Sequence, residues 1–112
     1  MFDLFSKSAQ VLMFSMDPEN AHSLSIKALK HKLVPAPKIV RDTRLVSRLA
    51  GLTFMNPLGM AAGYDKNAEV PEQLLALGFG HVEVGTVTPH PQPGNPRPRI
   101  CLLYTSPSPR DA

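Results

Sequence analysis

Between residues 57 and 88 the chain reads as strand, helix, strand, and that order constrains its fold more than any other feature. "LGMAA" (Leu58 to Ala62) is a short apolar run without alternation, the pattern of a strand buried on both faces. "NAEVPEQLLALGFG" follows with helical spacing: Val70, Leu74 and Leu77 share a face, Pro71 falls in the first turn, and Gly78 or Gly80 ends it. "HVEVGTVT" (His81 to Thr88) is a second strand, rich in valine. A βαβ unit of about 30 residues implies parallel strands joined by a right-handed crossover. Two such strands cannot hide their own edges, so the chain reads as the opening of a larger α/β domain.

Two helices are expected upstream. Met1, Phe5, Ala9, Leu12 and Met16 recur at three- and four-residue intervals, while Phe2, Val11, Met13 and Phe14 leave much of the remaining surface apolar. Such a helix either packs on a core or lies in a membrane interface. "MDPEN" then starts a second helix, from Pro18 to about His31: Asp17 can cap free amides, Pro18 suits the first helical position, and Glu19 favours the positive end of the dipole. On it His22, Ile26, Leu29 and Leu33 form one stripe and Ala21, Leu24 and Ala28 another, so two sides have something to touch. The short connection at Ser15 to Asp17 suggests an antiparallel pair. "VPAPK" breaks the helix. Short extended pieces follow over residues 39 to 56, with Gly51 as a turn residue and Asn56 and Pro57 as a stop.

Composition narrows the function classes. With 112 residues and 43% hydrophobic content, one folded domain is expected. The net charge of +3 comes from scattered Lys and Arg interleaved with acids, and aromatics are 6% with no Trp, so nucleic acid is not an expected partner. The single cysteine, Cys101, excludes an internal disulfide and a cysteine metal cluster, and a reducing cytoplasm is the default. His31, His81 and His90 show no metal-ligand spacing, so no metal is expected. The first residues offer neither a run of the roughly 20 apolar residues a spanning helix needs nor a secretory signal.

Ligands of parallel sheets gather at the carboxyl ends of the strands. Both unusual segments, "AAGYDK" and "GTVTP", sit there, so Gly63 to Lys66 and Gly85 to Thr88 should share a rim. Small side chains at Ala61, Ala62 and Gly63 let a planar ring approach the backbone. Lys66 can meet an anion, while Thr86 offers a hydroxyl and Gly85 an unobstructed amide. An ordinary βα turn with a solvated Lys66 explains the same spacing, and His22 on an apolar stripe is equally a packed residue. From Pro89 to Arg99, "PHPQPGNPRPR" holds five prolines in eleven residues. It reads as a stiff loop over a site or as a polyproline ligand for a partner.

The stretch "NPLGMAAGYDKNAEVPEQLLALGFGHVEVGTVTPHPQPGNPRPRI" (Asn56 to Ile100), and "MDPENAHSL" before it, resemble the membrane-associated, quinone-linked class of dihydroorotate dehydrogenases. The resemblance covers residues 1 to 100. It implies the start of an FMN-containing (β/α)8 TIM barrel preceded by an amino-terminal helical pair. It also implies oxidation of dihydroorotate to orotate in pyrimidine biosynthesis, with electrons passed to a membrane quinone. Position by position, Ala62, Gly63, Tyr64, Asp65, Lys66 and Thr86 match FMN contacts of the family, and Lys66 also matches its contact to substrate. His22 matches a histidine of the helical pair through which the quinone enters. Residues 1–34 are thus expected to form the helical, membrane-facing segment and 35–100 the first strands of the barrel. The expected location is peripheral, on the cytoplasmic side of a bacterial cell membrane.

The family's serine base has no counterpart in this chain, which is expected to be inactive alone. After Ile100 the family continues with a Phe-Arg-Leu-like sequence and a substrate loop. Here "CLLYTSPSPRDA" (101–112) departs, with Leu102 where an arginine is expected, and reads as a non-native tail. Two other readings compete: a membrane-binding interaction module with a proline-rich partner loop, and a barrel segment that binds phosphate without redox chemistry.

Overall fold

The computed structural model describes residues 2–100. The tail at 101–112, and with it the expectation that this tail is non-native, lies outside the described residues. Helix α1 runs Phe2–Ser15 and α2 Pro18–Lys30. A single 3-10 turn at Thr43–Leu45 precedes β1 (Ser47–Leu49) and β2 (Leu52–Phe54), followed by β3 (Gly59–Met60), α3 (Pro71–Ala76) and β4 (His81–Val82). By compactness the described residues divide into one unit of residues 2–23 with 92–100 and another of residues 24–91.

Helix α2 begins as its first residues dictate. One carboxylate oxygen of Asp17 accepts the amides of Glu19 and Asn20 at 3.2 and 3.3 Å, satisfying donors that the first turn leaves open. Its end is less conventional. Leu33 donates to the carbonyl of Ala28 and Lys32 to that of Leu29, the paired bonds that close a helix through a left-handed residue. That residue is Lys32, at φ 55°. The turn ends the helix before Leu33, so the apolar stripe stops at Leu29 and Leu33 is exposed. Glycine carries no Cβ penalty in this conformation, so Lys32→Gly should stabilise the full-length protein by about 0.5–1 kcal/mol. An unchanged or lower midpoint in denaturant unfolding would show that the lysine is not strained.

Each unit has its own character. In α1 none of the described side chains is buried, and Leu4, Val11, Leu12 and Phe14 are exposed. No helix among the described residues is long and apolar enough to cross a membrane. In the 24–91 unit, Ile26 and Leu29 of α2 bury against Val70 and Leu74, with Met60, Tyr64, Leu77, Phe79 and Val82 packed around them. The compact units therefore part inside α2, after Ser23, and the last two turns of that helix belong to the core of the βαβ unit.

The extended pieces before residue 57 form a hairpin. β1 and β2 pair antiparallel, Ser47 opposite Phe54 and Leu49 opposite Leu52. Ala50 and Gly51 make the turn with φ 51° and 78°, the two positive values that a two-residue hairpin needs to match strand twist. Asp42 caps the preceding 3-10 turn through the Arg44 amide at 2.9 Å. The Arg44 guanidinium, 2.7 Å from its carboxylate, holds Asp42 below the usual carboxyl range.

β3 and β4 pair in parallel, Gly59 beside His81 and Met60 beside Val82, with α3 as the crossover packed on β4. The ladder is shorter than the sequence suggests. Leu58, Ala61 and Ala62 lie outside the two paired residues of β3 and are exposed, not buried on both faces; among the described residues each strand has only one partner. Asn56 secures the amino end of the unit: its side chain donates to the Gly78 carbonyl at 2.8 Å and accepts the Leu58 amide at 3.0 Å. Gly80 lies so close to the Asn56 carbonyl that any Cβ there would collide with it.

Candidate functional site

The loop after β3 alternates outward and inward. Ala61, Ala62 and Gly63 leave their backbone exposed, and a Cβ on Gly63, at φ 102°, would point into open space. Tyr64 then turns inward: its ring packs on the core and its hydroxyl shares a 2.8 Å hydrogen bond with Ser25 of α2. Asp65 is 1% exposed. Lys66 comes back out to solvent and forms no hydrogen bond or ion pair among the described residues.

Asp65 builds this loop. Its Oδ1 accepts the Glu69 amide and its Oδ2 the Val70 amide, each at 2.8 Å. Val70 is the residue immediately before α3, and its own side chain makes no capping bond there. A carboxylate from the preceding loop thus takes two donors at the helix amino end, where negative charge is also favoured by the dipole. Meanwhile the Asp65 carbonyl accepts the amide of Gly85 at 3.1 Å. That bond ties the loop after β3 to the loop after β4.

The structure therefore brings together Ala62, Gly63, Tyr64, Asp65, Lys66 and Thr86 at the carboxyl ends of two parallel strands, with Thr86 exposed next to the buried Gly85. Within that group the side chains divide. Asp65 and the Tyr64 hydroxyl face the protein, so what they offer a ligand is backbone, whereas Lys66 and Thr86 offer side chains. The rim is an open shelf of small residues beside one uncommitted ammonium, an arrangement that suits a flat, anionic ligand. His22 is half-buried on α2 and belongs to the other compact unit.

Sequence reading missed two parts of this arrangement. Ser25 carried no signal, since its partner Tyr64 lies 39 residues away. The role of Asp65 had a faint one: an acid four and five residues ahead of the two amides that lead into α3, outside the usual three-residue capping window. Lys30 and Glu69 form an ion pair at 3.1 Å just beyond the loop, equally unseen.

The sequence model of the dihydroorotate dehydrogenase family matches residues 44–107. The dihydroorotate dehydrogenase (quinone) of Rhizobium leguminosarum bv. trifolii is 66% identical over 103 residues, covering 92% of this chain and 28% of that protein. That of Rhizobium rhizogenes is 68% identical over 91 residues, covering 81% of this chain and 25% of the relative. Among solved structures, ligand-free DHODH from Eimeria tenella superposes with a TM-score of 0.73 at 48% identity, over 78% of this chain and 24% of that one. The chain thus spans little more than a quarter of the length of the relatives it matches. A family match across more than half of the residues, on a βαβ unit that superposes on a solved member, places the chain in the dihydroorotate dehydrogenase family.

Proposed function

We propose that this chain is the amino-terminal part of a quinone-dependent dihydroorotate dehydrogenase, and that its two tied loops form one side of an FMN site in a (β/α)8 barrel. The observation that carries the reading is the bond from the Gly85 amide to the Asp65 carbonyl, which makes one rim of two loops at the place where parallel-strand folds bind ligands. Bound there, FMN would supply the acceptor for the hydride of dihydroorotate. The exposed backbone of Ala62 and Gly63 would let a ring lie close. Thr86 would donate or accept at a polar atom of the ligand. Lys66 would balance negative charge on the cofactor or on the substrate carboxylate, a role worth most in a site from which water is excluded.

In this proposal residues 1–34 rest against the cytoplasmic face of a bacterial cell membrane, and the quinone enters past His22. The exposed apolar side chains of α1 support it, since a helix with that surface is suited to lie in an interface. Membership of the family leaves the interaction-module reading without support.

The test is a full-length protein carrying this segment. It should purify yellow, bleach when dihydroorotate is added without oxygen, and recover its colour with a quinone. A colourless protein, or a flavin that dihydroorotate leaves oxidised, would remove the proposal. Deleting residues 1–23, which removes His22 and leaves Ile26 and Leu29 in the core of the other unit, should slow quinone reduction at least about tenfold, the scale of losing one good binding contact, and leave flavin reduction nearly unchanged. Equal loss of both would make the segment purely structural.

A further inference from the structure

The proline-rich loop is not held by its prolines. Within the unit of residues 2–23 and 92–100, Arg99 reaches Glu19 in the first turn of α2, its Nε and Nη2 lying 2.8 and 2.7 Å from the same carboxylate oxygen. Its remaining nitrogen, Nη1, donates to the carbonyl of Pro93 at 2.9 Å. One guanidinium therefore closes the loop on itself and fastens it to the helix. Gly94, at φ 78°, fits around this group, since a Cβ there would lie 2.6 Å from Nη1. Arg97 adds a second, looser contact to Glu19 at 3.3 Å.

This pair differs from the surface ion pairs of the chain. The Glu19 side chain is 13% exposed and that of Arg99 29%, against 54% and 39% for Lys30 and Glu69. Exposed pairs contribute little, whereas a sheltered, forked, charge-assisted contact fixes geometry. Lysine in place of Arg99 would keep the charge and lose the fork.

We infer that Glu19 is a positioning residue: through Arg99 it sets the path of residues 92–99 against the turn of α2 that carries His22, and so tunes the quinone step. This rests on the function proposed above. His22 follows Glu19 by three residues, so both lie on the first turns of α2. The loop that Glu19 captures is the direct continuation of the rim at Gly85 and Thr86. Loss of the contact frees the loop where it meets the helix and leaves the rim's own tie, Gly85 to Asp65, in place.

The experiment compares full-length protein with Glu19→Gln, Arg99→Lys and the double variant. Amide hydrogen exchange over residues 92–99 reports the staple without reference to activity. Stopped-flow flavin reduction by dihydroorotate and steady-state turnover with a short-tailed benzoquinone report the two half-reactions. The expected result is faster exchange in the loop, a KM for the quinone raised about tenfold (one contact's worth of affinity), and flavin reduction within about twofold of the parent. The two substitutions should be non-additive, as for residues sharing one contact. Unchanged exchange would overturn the staple, and an unchanged KM or a parallel loss of both half-reactions would overturn its link to the quinone. If the unaltered protein shows no flavin reduction, the proposed function falls, while the exchange comparison still decides whether Glu19 holds the loop.

Discussion

Replacing Asp65 with alanine should lower the stability of the full-length protein by about 3 kcal/mol, the sum of two lost hydrogen bonds to a charged acceptor, one of them deeply buried. The carboxylate is almost wholly enclosed and each oxygen holds one amide. Val70 has no exposed surface, so its amide cannot turn to water when the acceptor goes. Asparagine is a poor substitute, because one acceptor survives while an NH2 group faces the other amide. Asp65→Asn should recover no more than half of the loss. Denaturant unfolding of the three proteins settles the matter. A difference below about 0.5 kcal/mol for alanine, the range of ordinary surface changes, would mean that something other than this carboxylate holds the start of α3. The same substitution should loosen the rim, since the Asp65 carbonyl that receives Gly85 sits on the same residue.

The second large effect is chemical. In the full-length enzyme proposed above, Lys66→Ala should slow flavin reduction by dihydroorotate about 10²- to 10³-fold, the usual cost of removing one group that stabilises developing charge. Stability should stay within about 0.5 kcal/mol, because the side chain is exposed and makes no contact that folding depends on. That contrast with Asp65, its immediate neighbour, is the informative part: in the proposed site one residue builds the loop and the next one works from it. Flavin content measured alongside the rate separates holding FMN from acting on the substrate. Lys66→Arg should fall between, since the charge persists but its shape and reach differ. An alanine variant with parental rates and full flavin would take Lys66 out of the site.

The helices were legible because their instructions are local. Asp17, Pro18 and Glu19 stand within one turn of the backbone groups they affect, and α2 starts where they place it. The βαβ order was legible for a related reason: Val70, Leu74 and Leu77 announce one buried face, and the first two are the most enclosed apolar residues of that unit. Strand lengths were not legible. "LGMAA" and "HVEVGTVT" each became two paired residues, because a ladder extends only as far as its neighbour does. Leu33 misled for a local reason of a different kind, as the left-handed Lys32 cut the stripe short.

At the candidate site the same division holds. The small residues 61–63, the lysine after them and the threonine after the second strand stood out by composition and order, so the sequence by itself determined which segments could meet a ligand. It also determined, through motifs of unusual length, the family to which the chain belongs. Only the tertiary structure decided which side chains face outward, that Asp65 is committed to the amides of Glu69 and Val70 just before α3, that its carbonyl joins two loops, and that Glu19 holds an arginine 80 residues away. The physical reason is the distance along the chain: a cap or a turn is set by groups within a few bonds of each other, whereas these contacts exist only once packing has brought remote segments within about 3 Å, the length of a hydrogen bond.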